Sequence, residues 1–364
     1  AGGPGQGSAH SFDLSTQANA EYYRLLFPGY MLVAFDNRGT GASGALRCPG
    51  LQGFYTLEQE AALAAACAES IGAQRVFYGT DEHAEDIESV RQMLAVDRVG
   101  LWGTSYGTKL ATAYAFAHPD HVERLLLDSM VPADLNDPFR ATSLRAIPGA
   151  VAEYCGGNVC RSASGNASAD VVRLANQLGA KPIQGKVLQP NGSSRTVRIG
   201  GVEFIGMVID ADLNPGFAAE LPAVARAALQ GNTQPLLRLY DLDSKSSVSP
   251  VEDLSAGLFA ATVCADGPFP WQPDGAVADR PALVQAAIGA LPSGTLGQFG
   301  AYAARIGNAE FCLRWPAPSG ASWLGPGPLP NVPVLAVNGG FDMRTPTASA
   351  VSYTHLTLPT KLEV

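Results

Sequence analysis

Residues 99–128, VGLWGTSYGTKLATAYAFAHPDHVERLLLD, constrain the fold more than any other stretch of this chain. An apolar strand runs directly into Gly103-Thr104-Ser105-Tyr106-Gly107, a helical pattern runs directly out, and a second apolar strand follows. In a chain with 40 glycines, G-x-S-x-G alone is weak. Between a strand and a helix it says much more. The serine is then held on a strained turn, where side chains at the glycine positions would collide with neighbouring backbone. Such a turn lifts the Ser105 hydroxyl to the C-terminal edge of a sheet, above a helix N-terminus that favours negative charge. Those are the requirements of a nucleophile; an ordinary strand-to-helix turn is the bland alternative.

The same alternation recurs along the chain. Tyr30 to Asp36, Arg98 to Gly103, Arg124 to Asp128 and Val332 to Gly339 are near-continuous apolar runs, as expected of strands buried on both faces of a parallel sheet. Helical patterns lie between them at Leu57 to Ser70, Asp81 to Leu94 with Thr80 as cap, and Thr108 to Ala117, which stops at His118-Pro119. The expected fold is α/β, a doubly wound, mostly parallel sheet. From about Ala133 to Pro330 the alternation lapses into polar stretches (NGSSRT, DSKSSVSP) and amphipathic pieces such as Phe217 to Leu229, which read as a mostly helical insertion. The Pro and Gly segment SGASWLGPGPLP links it back to the last strand. The expected division is 1–132 core, 133–330 insertion, 331–350 core and 351–364 tail.

Charge and cysteine content narrow the partners. A net charge of −9 argues against nucleic acid and anionic lipid, which need clustered Lys and Arg. No apolar run approaches the ~20 residues of a membrane span. Six cysteines fall as neighbouring pairs, Cys48 with Cys67, Cys155 with Cys160 and Cys264 with Cys312. That pattern fits three disulfides in a secreted or cell-envelope protein, with six buried thiols as the alternative. With no Cys-x-x-Cys and no histidine spaced to complete a zinc site, no metal is expected, nor any cofactor. Asn166 and Asn191 head sequons of the N-x-Ser kind, which arise easily by chance. A monomer is the expectation.

Acyl transfer also needs backbone N–H donors where the oxyanion forms. Tyr106, after the nucleophile, supplies one. Ala1-Gly2-Gly3-Pro4-Gly5 is a glycine-rich loop that can supply the second, with Gly3 the first choice and Gly2 or Gly5 the alternatives, since Pro4 has no N–H.

The segments GGPG, AFDNRGTGAS, YGTDEHAEDIESVRQML, LWGTSYGTKLATAYA, VCADGPFPW, FCLRWP and VLAVNGGFDMRTP, in this order, carry a resemblance. The chain resembles the tripeptidyl aminopeptidase and prolyl iminopeptidase branch of the α/β-hydrolase serine peptidases, over nearly all its length to about Ala350. The resemblance implies a secreted bacterial hydrolase with Ser105 as nucleophile, Asp342 as triad acid, 133–330 as a cap over the site, and exopeptidase action on small peptides or their amide or ester analogues. An esterase, or a hydrolase fold that only binds, are the competing readings. The family usually has His before Gly-Gly-Pro-Gly, where this chain has Ala1; that position shapes the loop.

Asp342 follows the strand Val332 to Gly339 and so belongs to the same sheet edge as Ser105, where a carboxylate could orient an imidazole. Asp128, which also ends a strand, is the rival acid. His83, His118 and His121 read as surface structure, and His10 falls outside the usual triad order. For the amine of a substrate the insertion offers Glu203, Asp210, Asp212, Glu220 and Asp266. Gly39 to Gly44 forms a G-x-G-x-x-G after an apolar run, but ALRCPGL follows where a dinucleotide site needs a helix.

Twelve residues separate Asp342 from His355, whereas a helix, a strand and their loops need about 25. It is therefore not expected to be the base. VSYTHLTLPT also resembles an in-frame translation of a transposon-type sequencing adapter. The expectation is a foreign tail from about Val351, on a fragment truncated at both ends and lacking its triad histidine.

Overall fold

The computed structural model describes residues 1–132, 137–246, 248–316 and 329–351. Its central sheet is parallel, in the order β1 (Val99–Thr104), β2 (Val122–Asp128), β5 (Val334–Val337). Thr104 is in register with Asp128, and Asp128 with Val337. All three strands therefore end at one edge, from which Ser105, Ser129 and Asn338 emerge. The helix Tyr106–Ala117 joins β1 to β2 and packs on both. Its Leu110, Ala111 and Tyr114 form a buried cluster with Val122, Leu125 and Leu127 of the sheet and Ile87 of the helix Thr80–Met93.

Between β2 and β5, adjacent in space, about 200 residues of chain intervene. This excursion is mostly helical, as read from the sequence. Five of its helices, Ala141–Tyr154, Ala167–Ala180, Gly201–Asp210, Pro215–Leu229 and Gln234–Ser246, pack on one another around Leu144, Ile147, Phe204, Ile205 and Leu236. Leu51 and Ala64, from early in the chain, share that cluster. Their segment is tied in by a disulfide between Cys48 and Cys67; Cys155 is bonded to Cys160 and Cys264 to Cys312. No described helix is long and apolar enough to cross a membrane.

Three features differ from the sequence reading. Tyr30 to Asp36 runs without forming a ladder, and Met31 and Val33 are exposed. An apolar run marks a segment fit for a sheet, but a strand exists only where a neighbour accepts its hydrogen bonds. Second, the excursion contains an antiparallel hairpin, β3 (Ile183–Leu188) with β4 (Ser194–Ile199). It turns through Asn191-Gly192, where the glycine has φ +80°. Third, Gly79, not Thr80, caps the Thr80–Met93 helix, because the Thr80 hydroxyl donates instead to Asp266.

Candidate active site

Ser105 sits between the last residue of β1 and the first of the following helix, at φ +55° and ψ −120°. Few non-glycine residues take positive φ, and where they do the strain must be held by the surroundings. Here the holding is visible. Ser105 N–H donates to the Asp128 carbonyl at 2.8 Å, and the Ser105 carbonyl accepts from Thr108 N–H at 2.9 Å and Thr108 Oγ1 at 2.6 Å. Thr108 Oγ1 in turn accepts from Val131 N–H at 2.8 Å. The glycines are required on both sides. A Cβ on Gly103 would lie 2.2 Å from the Gly107 carbonyl oxygen, and one on Gly107 would lie 2.9 Å from that of Ala1. Gly103→Ala is accordingly expected to destabilise the fold by about 3 kcal/mol or more, as an overpacked site whose neighbour is backbone. Gly149→Ala, in open space within a helix, should be neutral or stabilising by up to ~1 kcal/mol. Urea midpoints of the two variants check this.

The glycine-rich loop reaches the serine. A Cβ on Gly2 would stand 3.1 Å from Ser105 Cβ. Gly2 N–H donates to Gln6 Oε1 at 2.9 Å. Gly3, at φ +109°, is exposed. The loop is anchored behind by Ser255 N–H, which donates to the Gly5 carbonyl at 2.9 Å, and by a bridge between Gln6 and Leu254.

Tyr106 opens the helix, so its N–H belongs to a first turn with no intrahelical acceptor. Its ring is buried, and its hydroxyl meets Thr80 Oγ1 and His83 Nδ1, each at 2.9 Å. Thr80 donates to Asp266 through its N–H at 2.9 Å and its hydroxyl at 2.6 Å, and Lys109 Nζ donates to the same carboxylate at 2.6 Å. Burial, with the Asp266 charge behind it, pushes the Tyr106 phenol well above its ordinary range. Burial also pulls His83 down to about 4, so its imidazole is neutral at pH 7. His83 is fully buried, contrary to the surface position expected from its acidic neighbours in sequence. The Thr80–Met93 helix turns it inward against Tyr106.

Asp342 lies five residues beyond β5, at the edge shared with Ser105. Its Oδ1 accepts from Arg344 N–H at 2.9 Å and Thr345 N–H at 2.8 Å, and its Oδ2 accepts from Thr345 Oγ1 at 2.6 Å. The rival Asp128 accepts from Ser129 Oγ at 3.3 Å. Of the four described histidines, His10 pairs with Asp253, His83 with Tyr106, His118 with Glu85 and His121 with Glu88. His355 lies outside the described residues.

Four of the five acids considered for a substrate amine are engaged within the protein. Asp210 and Asp212 both hold Arg344, the latter at 3.1 Å. Glu203 accepts from Gly200 N–H at 3.0 Å, closing its own helix. Asp266 holds Thr80 and Lys109, and only Glu220 is exposed. The Gly39 to Gly44 turn is filled by a carboxylate: Asp36 Oδ1 accepts from Ala9 N–H and Oδ2 from Ala42 N–H, each at 2.9 Å. A negative group at the turn leaves it unsuited to a pyrophosphate.

The chain is 29% identical to a tripeptidyl aminopeptidase of Streptomyces coelicolor over 147 residues, which is 36% of this chain and 27% of that protein. It is 31% identical to a proline iminopeptidase of Arabidopsis thaliana over 126 residues, 35% of this chain and 24% of that one. Over 76 residues it is 33% identical to the serine protease Hip1 of Mycobacterium tuberculosis, 21% of this chain and 14% of that one. The matched stretch thus spans about a quarter or less of these relatives. Residues 2–207, more than half of the sequence and including the strand, the serine turn and the helix behind it, match the family described as alpha/beta hydrolase fold, and the chain belongs to that family.

Proposed function

We propose that this chain carries the nucleophile, the oxyanion loop and the triad acid of a serine exopeptidase that releases residues or short peptides from free N-termini. The observation that carries the reading is Ser105 at positive φ on the strand-to-helix turn, with the glycine-rich loop against its Cβ. In this reading Ser105 Oγ attacks the scissile carbonyl and forms an acyl-enzyme. The developing oxyanion is met by Tyr106 N–H and by Gly3 N–H. Gly3 suits that role better than Gly2, whose N–H already donates to Gln6. The buried bonds on the Tyr106 hydroxyl hold the first donor in place. Asp342 is the acid that orients the histidine base, and His355, too close behind it in sequence, is not that base.

The segment 133–330 is the cap. Its support is the chain path, which leaves the sheet beside Ser105 and returns only at β5. All six cysteines are paired, which supports an oxidising, extracytoplasmic setting.

The peptidase-named relatives favour peptides over simple esters. An exopeptidase of this kind must read the substrate ammonium, so N-acetylation of a short peptide substrate is expected to cut kcat/KM on the order of 100-fold. The assay compares the free and acetylated forms of the same short peptide. Equal rates on free and acetylated peptides would contradict the exopeptidase reading and favour an esterase-type hydrolase.

A further inference from the structure

At the far end of the helix from Ser105, two acids and two imidazoles converge. Glu85 and Glu88 are three residues apart and share one face of the Thr80–Met93 helix. His118 and His121 are likewise three apart, just past the end of the Tyr106–Ala117 helix. His118 Nε2 lies 3.0 Å from Glu85 Oε1, and His121 Nδ1 lies 3.2 Å from Glu88 Oε2. The imidazoles are parallel within 8°, with centroids 6.0 Å apart. One donor atom each from Glu88, His118 and His121 falls within 4.8 Å of the others.

We propose that Glu88, His118 and His121, with Glu85 as fourth ligand, form a binding site for a zinc-type divalent cation. Tetrahedral coordination with bonds of about 2.1 Å puts neighbouring donors about 3.4 Å apart. The two imidazole-to-carboxylate separations are already close to that, and Glu85, outside the group of three but exposed, is free to turn toward it. Two imidazoles and two carboxylates are a borderline donor set that suits Zn²⁺, Ni²⁺ or Cu²⁺ and not Mg²⁺. The two carboxylates offset the dication in part, since Arg91 already pairs with Glu88. Binding requires each facing ring nitrogen to be deprotonated, its proton passing to the other ring nitrogen or to solvent.

Glu88 has the support a ligand needs. Its Oε2 accepts from Arg91 Nε and Tyr114 Oη at 2.9 Å, and its Oε1 accepts from Arg91 Nη2 at 2.7 Å and Gln92 Nε2 at 2.9 Å. These bonds fix the carboxylate in direction. The Arg91 charge also weakens it as a donor, so the affinity expected is micromolar. His118 and His121 are partly exposed, so the site is open to an ion from solvent. The 12-residue helix separates it from Ser105 by about 18 Å. The ion would clamp one helix to the other and take no part in chemistry, and the proposal stands independently of the hydrolase mechanism.

The test is calorimetric titration of the untagged full chain with ZnCl₂. One ion per chain is expected, together with a raised thermal midpoint. His118→Ala and His121→Ala should each weaken binding roughly 10-fold or more, and the double variant should lose both the heat and the thermal shift. His118→Gln, which keeps most of the side-chain volume, serves if an alanine variant fails to fold, and it should show the same loss. No binding at ~1 mM Zn²⁺, binding unchanged in the histidine variants, or Mg²⁺ binding as tightly as Zn²⁺ would each overturn the site and leave two His–Glu pairs holding the helices together.

Discussion

Ser105→Ala is expected to abolish acyl-enzyme formation while leaving the fold intact. The loss in kcat should be on the order of 10⁴ to 10⁶, because removing the attacking oxygen disables a triad as a unit. The fold should survive because the bonds that hold Ser105 run through its backbone, to Asp128 and Thr108, and alanine keeps both. Rate measurements paired with circular dichroism and urea midpoints check the two halves separately. Near-normal turnover by the alanine variant would end the nucleophile assignment.

The second large effect belongs to the disulfides. Loop-closure entropy in the unfolded chain grows with the number of residues enclosed. The Cys264–Cys312 bond spans 48 positions, Cys48–Cys67 spans 19 and Cys155–Cys160 spans 5. Replacing both partners by alanine should therefore cost about 4, 3 and 2 kcal/mol in that order. The first two pairs are both buried, so removing either adds a packing loss that the partly buried Cys155–Cys160 pair lacks. Urea denaturation of the three double variants gives the ranking, and a largest cost at Cys155–Cys160 would contradict it.

What the sequence made legible was local. The serine turn could be read because strand, glycines, serine and helix lie within one short stretch, and Gly103 meets Gly107 four positions on. The position of Asp342 was legible for the same reason, as a short step beyond an apolar strand. What escaped depends on partners far along the chain. Tyr30 to Asp36 has the composition of a buried strand, yet only a neighbour could make it one. His83 hides among acidic residues that suggest solvent, and only the packing of two helices shows that it faces Tyr106. The engagement of Asp210 and Asp212 by Arg344, more than 130 positions away, has no local signature. The β3–β4 hairpin is a different case. Its Asn191-Gly192 turn between alternating residues was a readable signal that the polar composition around it obscured.

The most direct test of Ser105 as nucleophile, and of His355 as no part of its triad, is where a fluorophosphonate attaches. If His355 is no part of the triad, the reactivity of Ser105 does not depend on it. Exposure of the full chain to the reagent, followed by digestion and mass spectrometry, should thus place a single adduct on Ser105. The adduct should be absent from Ser105→Ala and form at an unchanged rate in His355→Ala. An adduct on another serine, labelling that survives in Ser105→Ala, or labelling that vanishes in His355→Ala would contradict it.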